Sequence, residues 1–119
     1  MVRVVGGVVG IGMFLLATVA SAQDKVQQGN ALFSSQKCVM CHSVGAKGNK
    51  KGTLDEIGGK LKADEIRAWL TNPESMREKT NATRTPAMKD PKLGKDQVDA
   101  LVAFLAAQKG AAAPADNSR

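Results

Sequence analysis

The chain has 119 residues, 43% of them hydrophobic but only 3% aromatic, and carries a formal net charge of +6. Its first 22 residues read as a removable export signal, and the remaining 97 hold only 16 Leu, Ile, Val and Phe. That is about 16%, where a value under roughly 20% points towards disorder unless something else supplies apolar surface. One small domain is the most such a chain can fold, and a domain of that size buries roughly 60 to 65% of its surface. A staple or cofactor is therefore expected. A disulfide framework is excluded, because Cys38 and Cys41 are the only cysteines and a bridge between them would close a loop too short to add much.

The leader is read first. Arg3 gives a short basic start, Val4 to Ala20 is an apolar run without a charge, and Ala20-Ser21-Ala22 places small residues where signal peptidase cuts, ahead of Gln23-Asp24. The alternative is an uncleaved anchor, but the run is short and carries Gly6, Gly7, Gly10 and Gly12, whereas a bilayer core needs about 20 apolar residues. Either way the rest of the chain is expected outside the cytoplasm, in the periplasm or its equivalent. Without Arg3 the mature chain has a formal charge of +5. The excess is concentrated between Lys37 and Lys62, where six lysines face only Asp55 and Glu56. An exported chain with no aromatic residues among those lysines does not read as a nucleic-acid binder. A docking face for an acidic partner and a merely solvated surface explain the charge equally well.

Along the mature chain, helix signals dominate and strand signals are almost absent. Asp24 can cap a helix over Lys25 to Gln36, with Gly29, Leu32, Phe33 and Gln36 on one side. Gly45 to Gly59 reads as a loop. Leu61 precedes a short helix from Ala63 to Thr71 with an Ile66, Trp69 and Leu70 stripe, stopped by Asn72-Pro73. Pro73 can open another short turn over Glu74 to Lys79. Asn81 to Leu93, with Pro86 and Pro91, cannot be regular helix throughout. Asp96 leads into the strongest helix, which buries Val98, Leu101, Val102 and Leu105, is flanked by Phe104 and ends at Gly110. Ala111 to Arg119 has nothing to bury and is expected to be a disordered tail.

The chemistry sits at Cys38-Val39-Met40-Cys41-His42. Two thiols three residues apart on a helical turn can each form a thioether to one of the two vinyl groups of a haem, and the next residue's imidazole then lies beneath the ring as an iron ligand. A thioredoxin-type redox pair needs a strand and helix alternation that is missing here. Structural zinc needs four ligands, and there is no further Cys or His. A plain disulfide leaves the missing core unexplained. A cysteine protease pair needs a nucleophile and base facing each other across a cleft, which adjacent residues do not provide.

At these residues the chain resembles a class I c-type cytochrome over residues 24 to 109. The resemblance extends to a first helix with Gly29 and an aromatic four residues later, Phe33, and to a last helix of the form Leu-Val-x-aromatic-Leu at Leu101 to Leu105. It implies an all-α fold of about four helices and loops around one covalently attached haem c, with the first and last helices crossing at these small and aromatic residues. Met40, Met76 and Met88 are the candidates for the sixth iron ligand. Met88, in Thr85-Pro86-Ala87-Met88, resembles the family's ligand loop, whereas Met76 lies in a helical turn and reads as packing, and Met40 is inside the attachment turn. The implied iron ligands are thus His42 and Met88. Leu54 is a haem-packing candidate, and Trp69 is either core or a donor to a haem propionate. The family has Gly-Pro where this chain has Lys51-Gly52-Thr53-Leu54. There Thr53 stands for the Pro whose carbonyl accepts the His N–H, so the carbonyl that orients His42 is expected from Thr53.

Read together, residues 1–22 are a signal, 23–110 the haem domain and 111–119 a tail. The expected protein is a monomeric, non-enzymatic, periplasmic one-electron carrier between larger redox proteins. A haem protein with an open sixth site, acting as a peroxidase or gas sensor, is the alternative from another class. The haem subunit of a dehydrogenase complex is a third. Lys37, Lys47, Lys89 and Lys92 are the basic residues placed nearest the expected electron exit.

Overall fold

In the computed structural model, which describes residues 16–110, five α-helices and one very short hairpin follow one another in the order α1 (Leu16–Ser35), β1 (Ser43–Val44), β2 (Lys47–Gly48), α2 (Ile57–Lys60), α3 (Ala63–Thr71), α4 (Pro73–Thr80) and α5 (Lys95–Ala106). Single 3-10 turns at Cys38–Met40 and Lys50–Gly52 flank the hairpin, whose antiparallel strands pair Ser43 with Gly48 and Val44 with Lys47. This is the all-α architecture expected, with one helical turn, α2, beyond the four helices anticipated.

The frame is the crossing of α1 and α5. On α5 the stripe Val98, Leu101, Val102 and Leu105 is buried as its spacing requires, and Ala100 and Phe104 are buried with it. Gly29 of α1 lies against this face so closely that a Cβ on it would run into the carbonyl of Ala100 and the Cβ of Phe104. With no side chain at 29 the backbones can meet, and one turn later Phe33, 1% exposed, packs its ring 5.8 Å from that of Phe104 at 53°. This edge-inclined pairing is the arrangement that aromatic quadrupoles favour.

The remaining helices attach to α5. α3 buries Ile66 and Leu70 in the same cluster, and its Arg67 reaches Asp99 of α5 at 2.8 Å, while Lys95 holds the same carboxylate at 2.7 Å. The hydrogen bond from Lys95, followed by that from Arg67, keeps the Asp99 carboxyl below the ordinary carboxylate range. Asn72 ends α3 and caps α4, accepting from the N–H of Ser75 at 3.3 Å. Pro73 then takes the first helical position, where its missing N–H costs nothing. Met76 on α4 is buried.

Four details differ from the sequence reading. In the uncleaved chain α1 runs through Asp24 from Leu16, so Asp24 does not cap a helix while the leader is attached. The Ala-rich stretch before Asp24 has good helix formers and no breaker from Leu16 onwards, and a capping side chain permits a helix start without imposing one. The loop Gly45 to Gly59 contains β2, a 3-10 turn and α2, short elements without a periodicity that a sequence could show. The last helix begins one residue earlier, at Lys95, where the Gly94 N–H donates to Gln97. It also ends at Ala106 rather than at Gly110. Gly110 does take positive φ, 74°, but as part of the segment after the helix. Residues 81–94 contain neither helix nor strand, as their prolines require. The leader up to residue 15 and the expected tail 111–119 lie outside the described residues.

Glycine 29 supplies a direct check. Gly29→Val should overpack the crossing and lower the unfolding free energy by about 1–3 kcal/mol or more. Gly59→Ala, where a Cβ meets nothing within 4 Å, should be neutral or stabilising by up to about 1 kcal/mol. Chemical denaturation of both variants compares them.

Candidate functional site

The site begins where α1 stops. Lys37 adopts a left-handed conformation, φ 62°, which turns the chain away from the helix axis. The next residues then wind into one tight turn: Met40 N–H donates to Lys37 O (3.1 Å), and both Cys41 N–H (3.2 Å) and His42 N–H (2.9 Å) donate to Cys38 O. Two free cysteines and a histidine are thereby held on a single backbone turn. Cys38 is half-buried and packs against the core, whereas Cys41 is exposed. Burial pushes the Cys38 thiol up, and the neighbouring Cys41 adds to this.

His42 is half-buried, and its Nδ1 lies 3.0 Å from the carbonyl oxygen of Gly52. That contact assigns the tautomer. Nδ1–H donates to the carbonyl, which leaves Nε2 with a free lone pair. Burial lowers the imidazole pKa, the Gly52 hydrogen bond opposes this, and the charge of Arg84 lowers it further. A neutral ring oriented through its other nitrogen is the form in which histidine ligates metals. The acceptor is Gly52, not Thr53 as expected. Thr53 instead pairs across a bridge with Ser43, and Leu54 N–H donates to Ser43 O at 2.8 Å. The carbonyl one residue nearer the 3-10 turn Lys50–Gly52 is the one that reaches the ring, and only the fold of that loop selects it.

The structure separates the three methionines. Met76 is buried in the helical layer, Met40 is 68% exposed on the attachment turn, and Met88 is half-buried against the core cluster to which Cys38 and Leu54 also pack. Met88 therefore shares its apolar support with the attachment turn, although it is distant in sequence. Leu54 is half-buried there. Trp69 is half-buried, unlike its stripe partners Ile66 and Leu70, which are buried. The donor set of two free thiols, one imidazole with a free Nε2 and one thioether at the core's margin fits a covalently held haem.

Three supporting residues escaped the sequence reading. Asn49 ties the turn together: its N–H donates to both Val39 O and His42 O at 3.0 Å, its side-chain amide donates to Met40 O at 3.1 Å, and its Oδ1 accepts from Lys51 N–H at 3.0 Å. Gly52 supplies the carbonyl. Arg84 reaches across from the Met88 loop to donate to the carbonyl of Cys41. An Asn between Gly48 and Lys50 does signal a turn, but no sequence feature links Arg84 to residues 41 and 42.

The family model described as Cytochrome c matches residues 26–109. Cytochrome c oxidase subunit 2 of Alkalihalophilus pseudofirmus is 28% identical over 91 residues, covering 69% of this chain and 25% of that protein. The chain thus spans about a quarter of the length of this relative. No solved structure matches the chain.

Asn49→Ala should remove both side-chain bonds and leave the Met40 carbonyl without its donor. The expected loss is about 1–2 kcal/mol. Amide exchange should accelerate at Cys41 and His42 more than at α5 positions, as read by native-state hydrogen exchange.

Proposed function

This chain belongs to the cytochrome c family, a family of haem-binding electron carriers with covalently attached haem c, and on that premise we propose that it is a periplasmic carrier with a single, His/Met-ligated haem, passing one electron at a time between larger redox proteins. The observation that carries the reading is the His42 Nδ1 to Gly52 carbonyl contact at 3.0 Å, at the end of a turn bearing two free thiols. It commits one ring nitrogen and leaves the other for iron.

When bound, the haem supplies a one-electron iron couple. Cys38 and Cys41 would hold it by one thioether each, which keeps it from being lost outside the cytoplasm. His42 would ligate through Nε2, with its ring plane set by Gly52. Met88 would hold the iron through its thioether, whose soft sulfur favours the reduced state, so the pair would give a higher potential than two imidazoles would. Leu54 and the neighbouring core side chains would exclude water from the ring, and Trp69 would offer its indole N–H to a propionate. If His42 and Met88 both hold the iron, no position would be left for a peroxidase substrate or a gas, and the chain is read as a non-enzyme. The apolar ring also answers the shortage of core-forming residues.

Export is supported by the leader, and no helix among the described residues is long and apolar enough to cross a membrane. The relative named as an oxidase subunit supports electron delivery to or within a larger redox assembly. It also favours the reading of a haem subunit held in a fixed complex, which co-purification at native expression levels distinguishes from a transient carrier. For docking to an acidic surface, Lys47 is the weakest candidate of the four lysines, since its ammonium bonds Asn30 Oδ1 at 2.7 Å and sits 5.8 Å from the centre of the Phe33 ring. Lys92 pairs with Asp90 at 3.4 Å. Lys37 and Lys89 are exposed and carry no ion pair among the described residues, which leaves them to steer an acidic partner.

Denatured mature protein should retain one haem by mass, and haem extracted by acid-acetone would overturn the attachment. Met88→Ala should keep the haem while losing the ferric sulfur-to-iron band, lowering the potential and admitting cyanide, whereas Met76→Ala should leave all three unchanged. The reverse pattern would reassign the ligand.

Electron transfer with a native partner should slow steeply as salt rises towards 0.15 M, where the Debye length is about 8 Å. Lys37→Glu and Lys89→Glu should each flatten that dependence in stopped-flow measurements. A rate indifferent to salt would leave these lysines as solubilising charge.

A further inference from the structure

We propose that Arg84 is a positioning residue for electron transfer, latching the Met88 loop to the attachment turn and holding a fixed positive charge beside the His42 ring. The proposal rests on the reading that His42 and Met88 hold the iron. Two independent observations carry it. First, the Arg84 guanidinium is forked over the turn: one amino group donates to the Cys41 carbonyl, and the other lies 3.4 Å from His42 Nδ1. Because Nδ1–H already donates to Gly52 O, that second contact is a charge placed against the ring and not a hydrogen bond.

Second, the guanidinium and the Cys41 carbonyl it binds both lie in the space that a side chain at residue 52 would fill. A Cβ on Gly52 would run into Nη1 of Arg84 and the Cys41 carbonyl, and would lie 2.6 Å from Cζ. The same residue therefore gives His42 its carbonyl acceptor and gives Arg84 its seat. Gly52 has no positive φ to explain it, so the close approach is the physical reason for a glycine here.

The consequences follow from charge and connectivity. Arg84 lies four residues before Met88, in the segment 81–94 that has no helix or strand to hold it. A tie from Arg84 to Cys41 therefore couples the loop of one axial ligand to the turn of the other. The guanidinium charge beside the imidazole disfavours further positive charge at the metal and stabilises the reduced state. The group is exposed, so salt should weaken this effect.

The test uses the haem-loaded protein and its Arg84→Gln, Arg84→Lys and Gly52→Ala variants, with the midpoint potential and the rate of cyanide entry at the Met88 position as readouts. Arg84→Gln should shift the redox equilibrium about tenfold towards the oxidised form at low salt, about 59 mV for a one-electron couple, and the shift should shrink as salt rises. It should also accelerate cyanide entry. Arg84→Lys, which keeps the charge and loses the fork, should retain most of the potential but not the slow entry. Gly52→Ala, whose Cβ would meet the Cys41 carbonyl as well as the guanidinium, should disturb the His42 acceptor and evict Arg84 together, and so accelerate entry at least as much as Arg84→Gln. An Arg84→Gln variant matching the parent in either potential or entry rate overturns the proposal alone, provided that the parent shows the sulfur-to-iron band. A parent without that band overturns the His/Met reading and this proposal with it.

Discussion

The close approach of α1 and α5 at Gly29 is the contact on which the rest of the molecule depends. Because no side chain separates the two backbones, Phe33 and Phe104 can meet one turn further on, and the end of α1 is held at a defined place against α5. The attachment turn begins three residues after that end, at Cys38. Its position is therefore inherited from helix packing and not from the loop that follows. In a chain with so few large apolar residues, this crossing and the α3 contacts with Ile66 and Leu70 supply most of the buried core.

Around the turn the protein works with backbone groups more than with side chains. His42 is oriented by a carbonyl, and Cys38 O accepts two N–H groups. Asn49 contributes both its N–H and its amide. A site built in this way tolerates changes of residue type provided that the chain path is kept. Gly52 can stand where the resemblance led to the expectation of a Thr53 carbonyl, since any residue brings a carbonyl, but only a glycine leaves room for Arg84. Membership of the cytochrome c family and departure from its usual loop are thus compatible.

The surface charge divides once contacts are known. Lys47 and Lys92 are engaged locally, by an asparagine with an aromatic ring and by an aspartate, while Lys37 and Lys89 are open to solvent. The excess of lysines near the attachment turn is thus smaller as an electrostatic patch than it is as a count. Arg67 and Lys95 are also committed, to Asp99, where they join α3 to α5.

The sequence by itself determined the elements whose cause is local. The five-residue Cys-x-x-Cys-His motif carries its chemistry in its spacing, α3 and α5 show their stripes, and Asn72-Pro73 and Pro86 mark where helix must stop. It also set Met88 apart from Met76, since Thr85-Pro86-Ala87-Met88 resembles the family's ligand loop whereas Met76 lies in a helical turn. Tertiary structure decided whatever depends on residues far apart in the chain. It showed that Gly52 rather than Thr53 orients His42. It also placed Asn49 to close the attachment turn and Arg84 beside the imidazole. The hydrogen bonds of Gly52, Asn49 and Arg84 span nine to more than forty residues, and no periodicity or spacing encodes them, because hydrogen bonds of this kind depend on where a folded backbone places a carbonyl.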